Sequence, residues 1–321
     1  MPVAIGVDVG GTKVLAVAVD TDEPARILTS ARLPTPPSGD GLVDTVVRSA
    51  RSAIDDLGSD AHVAAVGVGL PGLVDADGGL QAAPNLRPGV GIAVRERVGG
   101  ALDRPVVVAN DASAAAWAET VAGAGRGADD IVLVTLGTGI GGGLVSGGCL
   151  HGGVHGYAGE PGHMVVDPAG PLCPCGRRGC WERYASGSGL EHLAGLAVER
   201  GEGAGLVDPG APGGPSGERL AALARADEPA ALAVFETFSW WLALGIANLV
   251  DLLDPELVLV GGGLADVADL YLERTRALTM EMALGASART RTRIEVATLG
   301  STAGAIGAAL LASSAGERRD G

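Results

Sequence analysis

The stretch VAIGVDVGGTKVLAVAVD, at residues 3–20, consists of two apolar runs joined by a short turn of glycine and polar residues. Runs of this length and composition are typical of buried β-strands. The glycines that follow Asp8 favour a tight connection, so we predict an antiparallel hairpin. A second stretch of the same design, IVLVTLGTGIGGGLVSGG, occupies residues 131–148. The repetition predicts an α/β protein built from two similar lobes, with a cleft between them.

The segments around these hairpins complete the α/β pattern. Apolar residues recur at helical spacing between Leu42 and Leu57, which predicts an amphipathic helix. Continuous apolar runs at 62–72 and 104–111 predict strands that are covered on both faces. A long helix is expected from about Pro229 to Leu253.

The chain has 321 residues, which is enough for two domains of ordinary size. We expect a small N-terminal lobe over residues 1–111, joined by a C-terminal helix at about 302–321. A larger lobe is expected over residues 112–301.

Charge and hydropathy narrow the classes of partner. A net charge of −15 argues against a nucleic-acid partner, because phosphates would be repelled over most of the surface. The apolar run at 241–250 is too short to cross a bilayer, and residues 1–11 lack a basic region ahead of an apolar one. We therefore expect a cytoplasmic protein without a signal peptide or a membrane partner.

Two glycine-rich turns follow predicted strands, DVGGTK at residues 8–13 and TLGTGIGGG at residues 135–143. Backbone N–H groups of such turns can converge on phosphate oxygens, although a single turn of this kind is more often just a tight hairpin. Neither is a Walker A loop. The second turn contains a formal GxGxxG, but no helix follows it, which excludes a Rossmann site. Two such turns, one of them with Asp, Thr and Lys, favour a nucleotide phosphate site.

Asn110 and Asp111 stand between a predicted strand and a predicted helix. Asp and Asn are preferred helix N-caps, so from this stretch alone capping by Asp111 is the favoured interpretation and a catalytic carboxylate the alternative. Asp8 has two comparable interpretations, a magnesium-orienting carboxylate or a residue that satisfies the turn backbone.

Seven motifs occur in the order and spacing of the ROK family of bacterial sugar kinases and sugar-responsive repressors. They are DVGGTK, GLPGLVD, NDASAAAWAE, TLGTGIGGG, GEPGHM, CPCGRRGCWE and LVGGGL. The resemblance covers about residues 3–312, and the cysteine motif is its most specific part. It implies the actin-like ATPase fold of hexokinase and actin.

The resemblance also implies a zinc site. One imidazole and three thiolates would form a complete tetrahedral shell without a position for water, which is typical of structural zinc. A disulfide or unliganded thiols are the alternatives, and Cys149 is expected to be inert. The predicted ligands are His163, Cys173, Cys175 and Cys180.

Roles for the other residues follow from the same resemblance. Asp111 would be the general base toward the attacking sugar hydroxyl. The sugar would be held by Gly72, Asn110, Asp111, Glu160, His163 and Glu182. ATP, with its Mg²⁺, would be held by Asp8, Gly10, Gly11, Thr12, Lys13, Gly137, Thr138, Gly139, Gly262 and Gly263.

The resulting hypothesis is ATP-dependent phosphorylation of a hexose at its primary 6-hydroxyl, with glucose as the expected substrate. Alternative acceptors are N-acetylmannosamine, N-acetylglucosamine, fructose, an aminosugar or a cyclitol. A non-catalytic sugar-binding or regulatory protein is the alternative of another class. The family's repressors carry a DNA-binding domain ahead of the first glycine motif; that motif begins at Asp8 here, so we expect a kinase. We also expect a homodimer or homotetramer.

Overall fold

The computed structural model describes residues 2–36, 41–58, 61–83, 91–207, 214–285 and 292–317. The strands are β1 (Pro2–Val9), β2 (Lys13–Asp20), β3 (Ile27–Pro34), β4 (His62–Leu70), β5 (Leu73–Val74), β6 (Leu80–Ala82), β7 (Val106–Asn110), β8 (Ile131–Leu136), β9 (Ile140–Ser146), β10 (Cys149–Leu150), β11 (Leu257–Gly261) and β12 (Arg293–Val296). The α-helices are α1 (Leu42–Asp55), α2 (Val94–Leu102), α3 (Asp111–Ala122), α4 (Glu182–Ala185), α5 (Gly187–Glu199), α6 (Gly217–Arg225), α7 (Pro229–Leu253), α8 (Leu272–Met282) and α9 (Ala303–Glu317).

The chain divides into two compact units. The first comprises Met1–Leu133, Gly142–Gly159 and Ala297–Gly321, and the second comprises Val134–Gly141 and Glu160–Val296. The predicted boundary after Asp111 falls inside the first unit, at the start of α3. Helix α3 belongs there because it packs closely on α9: a Cβ atom added at Gly307 would lie 1.7 Å from the carbonyl oxygen of Ala114.

The first unit is built on a five-stranded sheet of order β3-β2-β1-β4-β7. Strands β1 and β2 pair antiparallel, which confirms the predicted hairpin, whereas β1, β4 and β7 run parallel. Helix α1 buries its apolar face against this sheet, and the helix predicted from Leu42 is confirmed. The parallel strands end at one edge, where the turns after β1, β4 and β7 lie.

Helix α9 lies directly on β1 and β4. A Cβ atom added at Gly6 would lie 1.8 Å from the carbonyl oxygen of Ala305, and one at Gly67 would lie 1.8 Å from that of Ala308. Only glycine permits such a close approach of helix and sheet. Residues 318–321 of the predicted C-terminal helix lie outside the described residues.

The second five-stranded sheet has the order β10-β9-β8-β11-β12, and the division between the units passes within β8 and β9. As the repeated pattern predicted, β8 and β9 are neighbours joined by the glycine turn at 137–139. Helices α4 to α8 belong to the second unit, where α7 packs against both α5 and α8.

Helix α7 has the bounds that the sequence predicted, Pro229–Leu253. The apolar run at 241–250 is too short to cross a membrane, but the whole helix has 25 residues. By length and composition alone, a helix of this kind could span a bilayer. Buried core helices pass the same test. Of the most apolar 18-residue window of α7, 56% is buried within the protein, and Phe238, Leu242 and Ile246 are part of its buried face.

Candidate active site and metal centre

Two aspartates share one edge of the first unit's sheet. Asp8 lies at the end of β1, and Asp111 follows β7 at the start of α3. Strand β4 separates them, and its residue Gly69 leaves the space between them open. A Cβ atom added at Gly69 would lie 3.4 Å from Oδ1 of Asp8 and 3.5 Å from Cα of Asp111. The parallel order of β1, β4 and β7 thus brings the two predicted functional carboxylates together.

Burial raises the pKa of both carboxyl groups. For Asp8 the pKa rises to about 7, because burial and then the charge of Asp111 outweigh the opposing effect of Lys13. For Asp111 the pKa rises to about 6, since burial outweighs the hydrogen bond that the carboxylate accepts from the N–H of Ala112. Neighbouring carboxyl groups with raised pKa values are typical of functional sites.

One oxygen of Asp8 has an unsatisfied environment. Its Oδ1 is buried and has no hydrogen-bond partner among the described residues. A buried polar atom without a partner is costly, and a bound cation with its water ligands would remove that cost. Asp8 therefore fits the predicted role of holding Mg²⁺, whose preferred ligands are carboxylate oxygens and water.

Asn110, and not Asp111, is the N-cap of α3. Its Oδ1 accepts a hydrogen bond of 2.9 Å from the N–H of Ser113. Its Nδ2 donates one of 3.1 Å to the carbonyl oxygen of Gly72. The capping role that the sequence favoured for Asp111 is thus filled by its neighbour. Asn110 and Gly72, both predicted to contact the sugar, are in direct contact with each other.

The first glycine turn connects β1 to β2 beside Asp8. The N–H of Gly10 donates to the carbonyl oxygen of Lys13 at 2.9 Å, which closes the turn. Thr35 reinforces it, because its hydroxyl donates to the carbonyl oxygen of Gly10 at 2.6 Å. Gly11, Thr12 and Lys13 are exposed at the tip. Exposed turn backbone of this kind can present N–H groups to an anionic ligand.

In the second unit, the four predicted zinc ligands converge. The donor atoms of His163, Cys173, Cys175 and Cys180 all lie within 4.8 Å of one another. Sγ of Cys175 and Sγ of Cys180 are 3.6 Å apart, and Sγ of Cys173 is 3.8 Å from Nδ1 of His163. Donors of a tetrahedral zinc shell are spaced by about 3.3 to 3.8 Å, so the cluster fits a structural zinc ion. Cys149 is exposed on β10 and is not part of this cluster.

Backbone hydrogen bonds fix the loop that carries the cysteines. The N–H of Cys173 donates to the carbonyl oxygen of Arg177 at 2.8 Å, and the N–H of Gly176 donates to that of Cys173 at 2.9 Å. The hydroxyl of Tyr184 donates to Asp167 at 2.7 Å, which ties the loop to α4. These contacts orient the segment that carries the predicted ligands.

Glu182 lies between the metal cluster and the second glycine turn. Its Oε1 accepts a hydrogen bond of 3.0 Å from the thiol of Cys173 and is 3.8 Å from Nδ1 of His163. A Cβ atom added at Gly139 would lie 2.6 Å from its Oε2. The carboxylate of Glu182 therefore lies against Gly139 of the predicted phosphate turn. Glu160 precedes the 3₁₀ helix Pro161–His163, where its carbonyl oxygen accepts from the N–H of His163.

The remaining residues predicted to bind the nucleotide also lie in the second unit. Gly262 follows β11 with a left-handed backbone (φ 82°), and a Cβ atom there would lie 2.6 Å from the carbonyl oxygen of Leu136. Since Leu136 directly precedes Gly137, the two glycine segments predicted to bind ATP lie side by side. Gly263 begins the next 3₁₀ helix and has no heavy atom crowding the position of a Cβ.

Known proteins provide an independent comparison. A profile of the ROK family matches residues 4–315. The chain belongs to the ROK family. It is 38% identical to a glucokinase of Streptomyces coelicolor, over 97% of this chain and 98% of that one. A glucokinase of Halalkalibacterium halodurans is 34% identical, over 94% and 92% of the two chains.

The fold of this ROK protein is also found in a solved structure. The ROK family glucokinase of Streptomyces griseus, in complex with glucose and AMPPNP, superposes with a TM-score of 0.85. It is 39% identical and covers 97% of this chain and 99% of its own. The predicted actin-like ATPase fold is confirmed.

Two buried residues with long-range contacts in this ROK protein were not predicted. Trp181 is fully buried beside Glu182, and its Nε1 donates to the carbonyl oxygen of Trp241 at 2.8 Å. Glu119, the last residue of the NDASAAAWAE motif, is buried and accepts hydrogen bonds from Ala124, Thr298 and Leu299. The position of each residue inside a family motif was the only signal in the sequence. Apart from Ala124, their partners are 60 or more positions away in the chain.

Proposed function

We propose that this ROK protein transfers the γ-phosphoryl group of ATP to the primary 6-hydroxyl of a hexose, and that the hexose is glucose. The paired carboxylates Asp8 and Asp111, in a chain similar to glucokinases over nearly its whole length, carry this proposal. Asp8 would hold the Mg²⁺ of the nucleotide, and Asp111 would accept the proton of the sugar hydroxyl.

Asp111 acts as the general base in this proposal. Phosphoryl transfer makes the attacking hydroxyl acidic only as its bond to phosphorus forms, so a carboxylate is a sufficient proton acceptor. The burial that raises the pKa of Asp111 to about 6 increases its basicity while leaving it mostly ionised at neutral pH. The hydrogen bond from the Ala112 N–H holds one oxygen and orients the carboxylate. Positioning of this kind supplies much of the rate.

Asn110 would orient sugar hydroxyls next to Asp111. Its amide has used one N–H on Gly72 and one oxygen lone pair on Ser113, which leaves one donor and one acceptor for a ligand. The two existing contacts lock the amide in place, so no side-chain entropy would be lost on binding.

Asp8 and the glycine turns would hold the nucleotide. When bound with ATP, Mg²⁺ supplies positive charge that shields the phosphates. Oδ1 of Asp8 would hold it through a coordinated water, in keeping with its lack of a partner. The exposed turn at Gly10–Lys13 and the second turn at Gly137–Gly139 would donate N–H groups to phosphate oxygens.

The metal centre would position the protein residues that bind the sugar. A zinc ion, when bound, holds the cysteine loop closed as a structural cross-link. Nδ1 of His163 faces the cysteine sulfurs, so its Nε2 is the nitrogen that would meet a sugar hydroxyl. Glu160, His163 and Glu182 would then contact the sugar from one rigid segment.

An ADP-release assay on the full chain tests the proposed function. Glucose, N-acetylmannosamine, N-acetylglucosamine, fructose, an aminosugar and a cyclitol would be compared with ATP and Mg²⁺. We expect the largest kcat/KM with glucose, by at least about tenfold over the others. A larger value with another sugar would overturn the assignment of glucose. Sugar binding without sugar-dependent ADP release would overturn the kinase and favour a regulatory protein.

The assembly and location remain predictions. A homodimer or homotetramer is expected, and light scattering on the eluted protein would measure its mass. The predicted cytoplasmic location would be tested by fractionation of the source cell.

A further inference from the structure

Two adjacent hydroxyl groups, those of Ser186 and Ser188, lie between the segment of Glu182 and the second glycine turn. Ser186 donates to the carbonyl oxygen of Glu182 at 2.6 Å, and its Oγ lies 3.1 Å from Oγ of Ser188. Ser188 in turn donates to the carbonyl oxygen of Thr138 at 2.7 Å. All four residues belong to the second unit, and Ser188 is fifty positions from Thr138 in the sequence.

A backbone contact lies beside these two hydroxyl groups. The N–H of Gly187, the first residue of α5, donates to the carbonyl oxygen of Gly137 at 2.7 Å. Two successive carbonyl groups of the turn, those of Gly137 and Thr138, are therefore held by the start of α5. Ser186 fixes that start, because it is the N-cap and accepts from the N–H of Gly189 at 3.0 Å.

Holding the two carbonyl groups also orients two N–H groups. A peptide bond is planar and trans, so its N–H points opposite to its C=O. The peptide that contains the carbonyl of Gly137 contains the N–H of Thr138, and the peptide with the carbonyl of Thr138 contains the N–H of Gly139. Both N–H groups are thereby directed away from α5.

We propose that Ser188 is a positioning residue for the phosphate-binding turn Gly137–Gly139. Its hydroxyl sets the plane of the peptide between Thr138 and Gly139, and so presents the N–H of Gly139 to the nucleotide. This inference rests on the proposed function, in which that turn binds ATP. Without the hydroxyl, the glycine-flanked peptide can rotate, because glycine allows many backbone conformations.

The segment that follows the metal ligand Cys180 would have a second role. The segment from Cys180 to Ser188 contains one metal ligand, Glu182 and both serines. The segment that contributes Glu182 to the sugar site would therefore also orient the phosphate-binding turn Gly137–Gly139.

Ser188→Ala tests the proposal, with Ser188→Thr as the rescue variant. We expect Ser188→Ala to raise the KM for ATP by about two- to tenfold, as for one lost hydrogen bond. The KM for glucose should change by less than about twofold, and zinc content and Tm should match the wild type. Ser188→Thr retains the hydroxyl and should restore the KM for ATP.

A matched control is Ser146→Ala. The hydroxyl of Ser146, an exposed serine, likewise donates to a single oxygen, Oδ1 of Asp130, at 2.7 Å. It should leave both KM values unchanged. An unchanged KM for ATP in Ser188→Ala would overturn the inference, as would an equal rise in the KM for glucose.

Calorimetric titration with Mg²⁺·ATP separates this inference from the proposed function. A higher Kd for Mg²⁺·ATP in Ser188→Ala, together with a wild-type Kd in Ser188→Thr, supports the inference even when turnover is absent. Wild-type protein that releases no ADP with any sugar would instead overturn the proposed function. Equal Kd values in all variants would overturn the inference alone.

Discussion

Asp8 and Asp111 lie on either side of Gly69 at one edge of the first unit's sheet, close enough for the charge of Asp111 to raise the pKa of Asp8. Burial is the main cause that raises the pKa of both groups, and the charge of Asp111 raises that of Asp8 further. Two neighbouring, half-buried carboxylates resist being ionised together. We therefore expect the ionisation of this pair to affect both turnover and stability near neutral pH.

The pH dependence of turnover should report the ionisation of Asp111. The base must be ionised, and burial raises its pKa to about 6, so kcat should fall as the pH is lowered through 6. Initial rates at saturating sugar and Mg²⁺·ATP between pH 5 and 8.5 would measure this. Enzyme held at pH 5 and assayed at pH 7.5 controls for unfolding. A kcat that is constant down to pH 5 would contradict the assignment.

Asp111→Asn should remove turnover while leaving the sugar site in place. The amide has nearly the shape of the carboxylate but cannot accept the proton, so we expect kcat to fall by about 10²- to 10⁴-fold. The Kd for sugar should stay within about threefold of the wild type. Asp130→Asn is the control, because Asp130 is paired with Ser146 at the surface. Turnover near the wild-type level in Asp111→Asn would exclude the general-base role.

Asp8→Asn should stabilise the protein at alkaline pH. A carboxyl group whose pKa is raised on folding binds its proton more tightly in the folded state. Its ionised form therefore opposes folding, with a cost that begins above the unfolded pKa of 3.8 and is complete above about 7. Because Asp8 is partly solvent-exposed, we expect a gain of about 1 to 2 kcal/mol in the free energy of unfolding at pH 8. Urea denaturation at pH 8 without Mg²⁺ would measure it.

The gain from Asp8→Asn should shrink at pH 4.5, where the wild-type carboxyl is largely protonated in the folded state. Equal gains at pH 4.5 and pH 8 would mean that charge burial is not the cause. Loss of stability at pH 8 would contradict the raised pKa itself.

Cys175→Ser should reduce zinc content, raise the KM for sugar and lower Tm. The thiolate is one of four donors within 4.8 Å of one another, and a three-donor site binds zinc much more weakly. Elemental analysis would give the zinc per chain, and a thermal scan would give Tm. Cys149→Ser, outside the cluster, is the control. Active wild-type protein without zinc would end the structural-metal assignment.

Gly245→Ala should disturb the sugar site through Trp181. A Cβ atom at Gly245 would lie 1.9 Å from Cε2 of Trp181, so the indole beside Glu182 must shift. We expect a loss of about 1 to 3 kcal/mol in the free energy of unfolding, together with a higher KM for sugar. Gly195→Ala is the control, because Gly195 lies in α5 and a Cβ atom added there would contact no neighbouring element within 4 Å. That change should stabilise by up to about 1 kcal/mol, and equal stability of the two variants would refute the packing argument.

Local patterns in the sequence were sufficient for the elements of the fold. The hairpin of β1 and β2 and the helix Pro229–Leu253 were predicted because apolar periodicity and glycine turns act over a few residues. The four donors of the metal centre were found from their residue types and the family motif, and the structure brings them together. The family resemblance added the actin-like fold, which composition and periodicity alone did not specify.

The tertiary structure decided which of these residues act on one another. The sequence favoured Asp111 as the helix cap, whereas the observed geometry gives that task to Asn110 and leaves Asp111 beside Asp8. The contact of Ser188 with Thr138 also lies outside local patterns, because it joins residues that are far apart in the chain. Periodicity records which face of an element is buried. Which elements become neighbours depends on the order of the strands and on close packing at glycines, and these arise only when the whole chain folds.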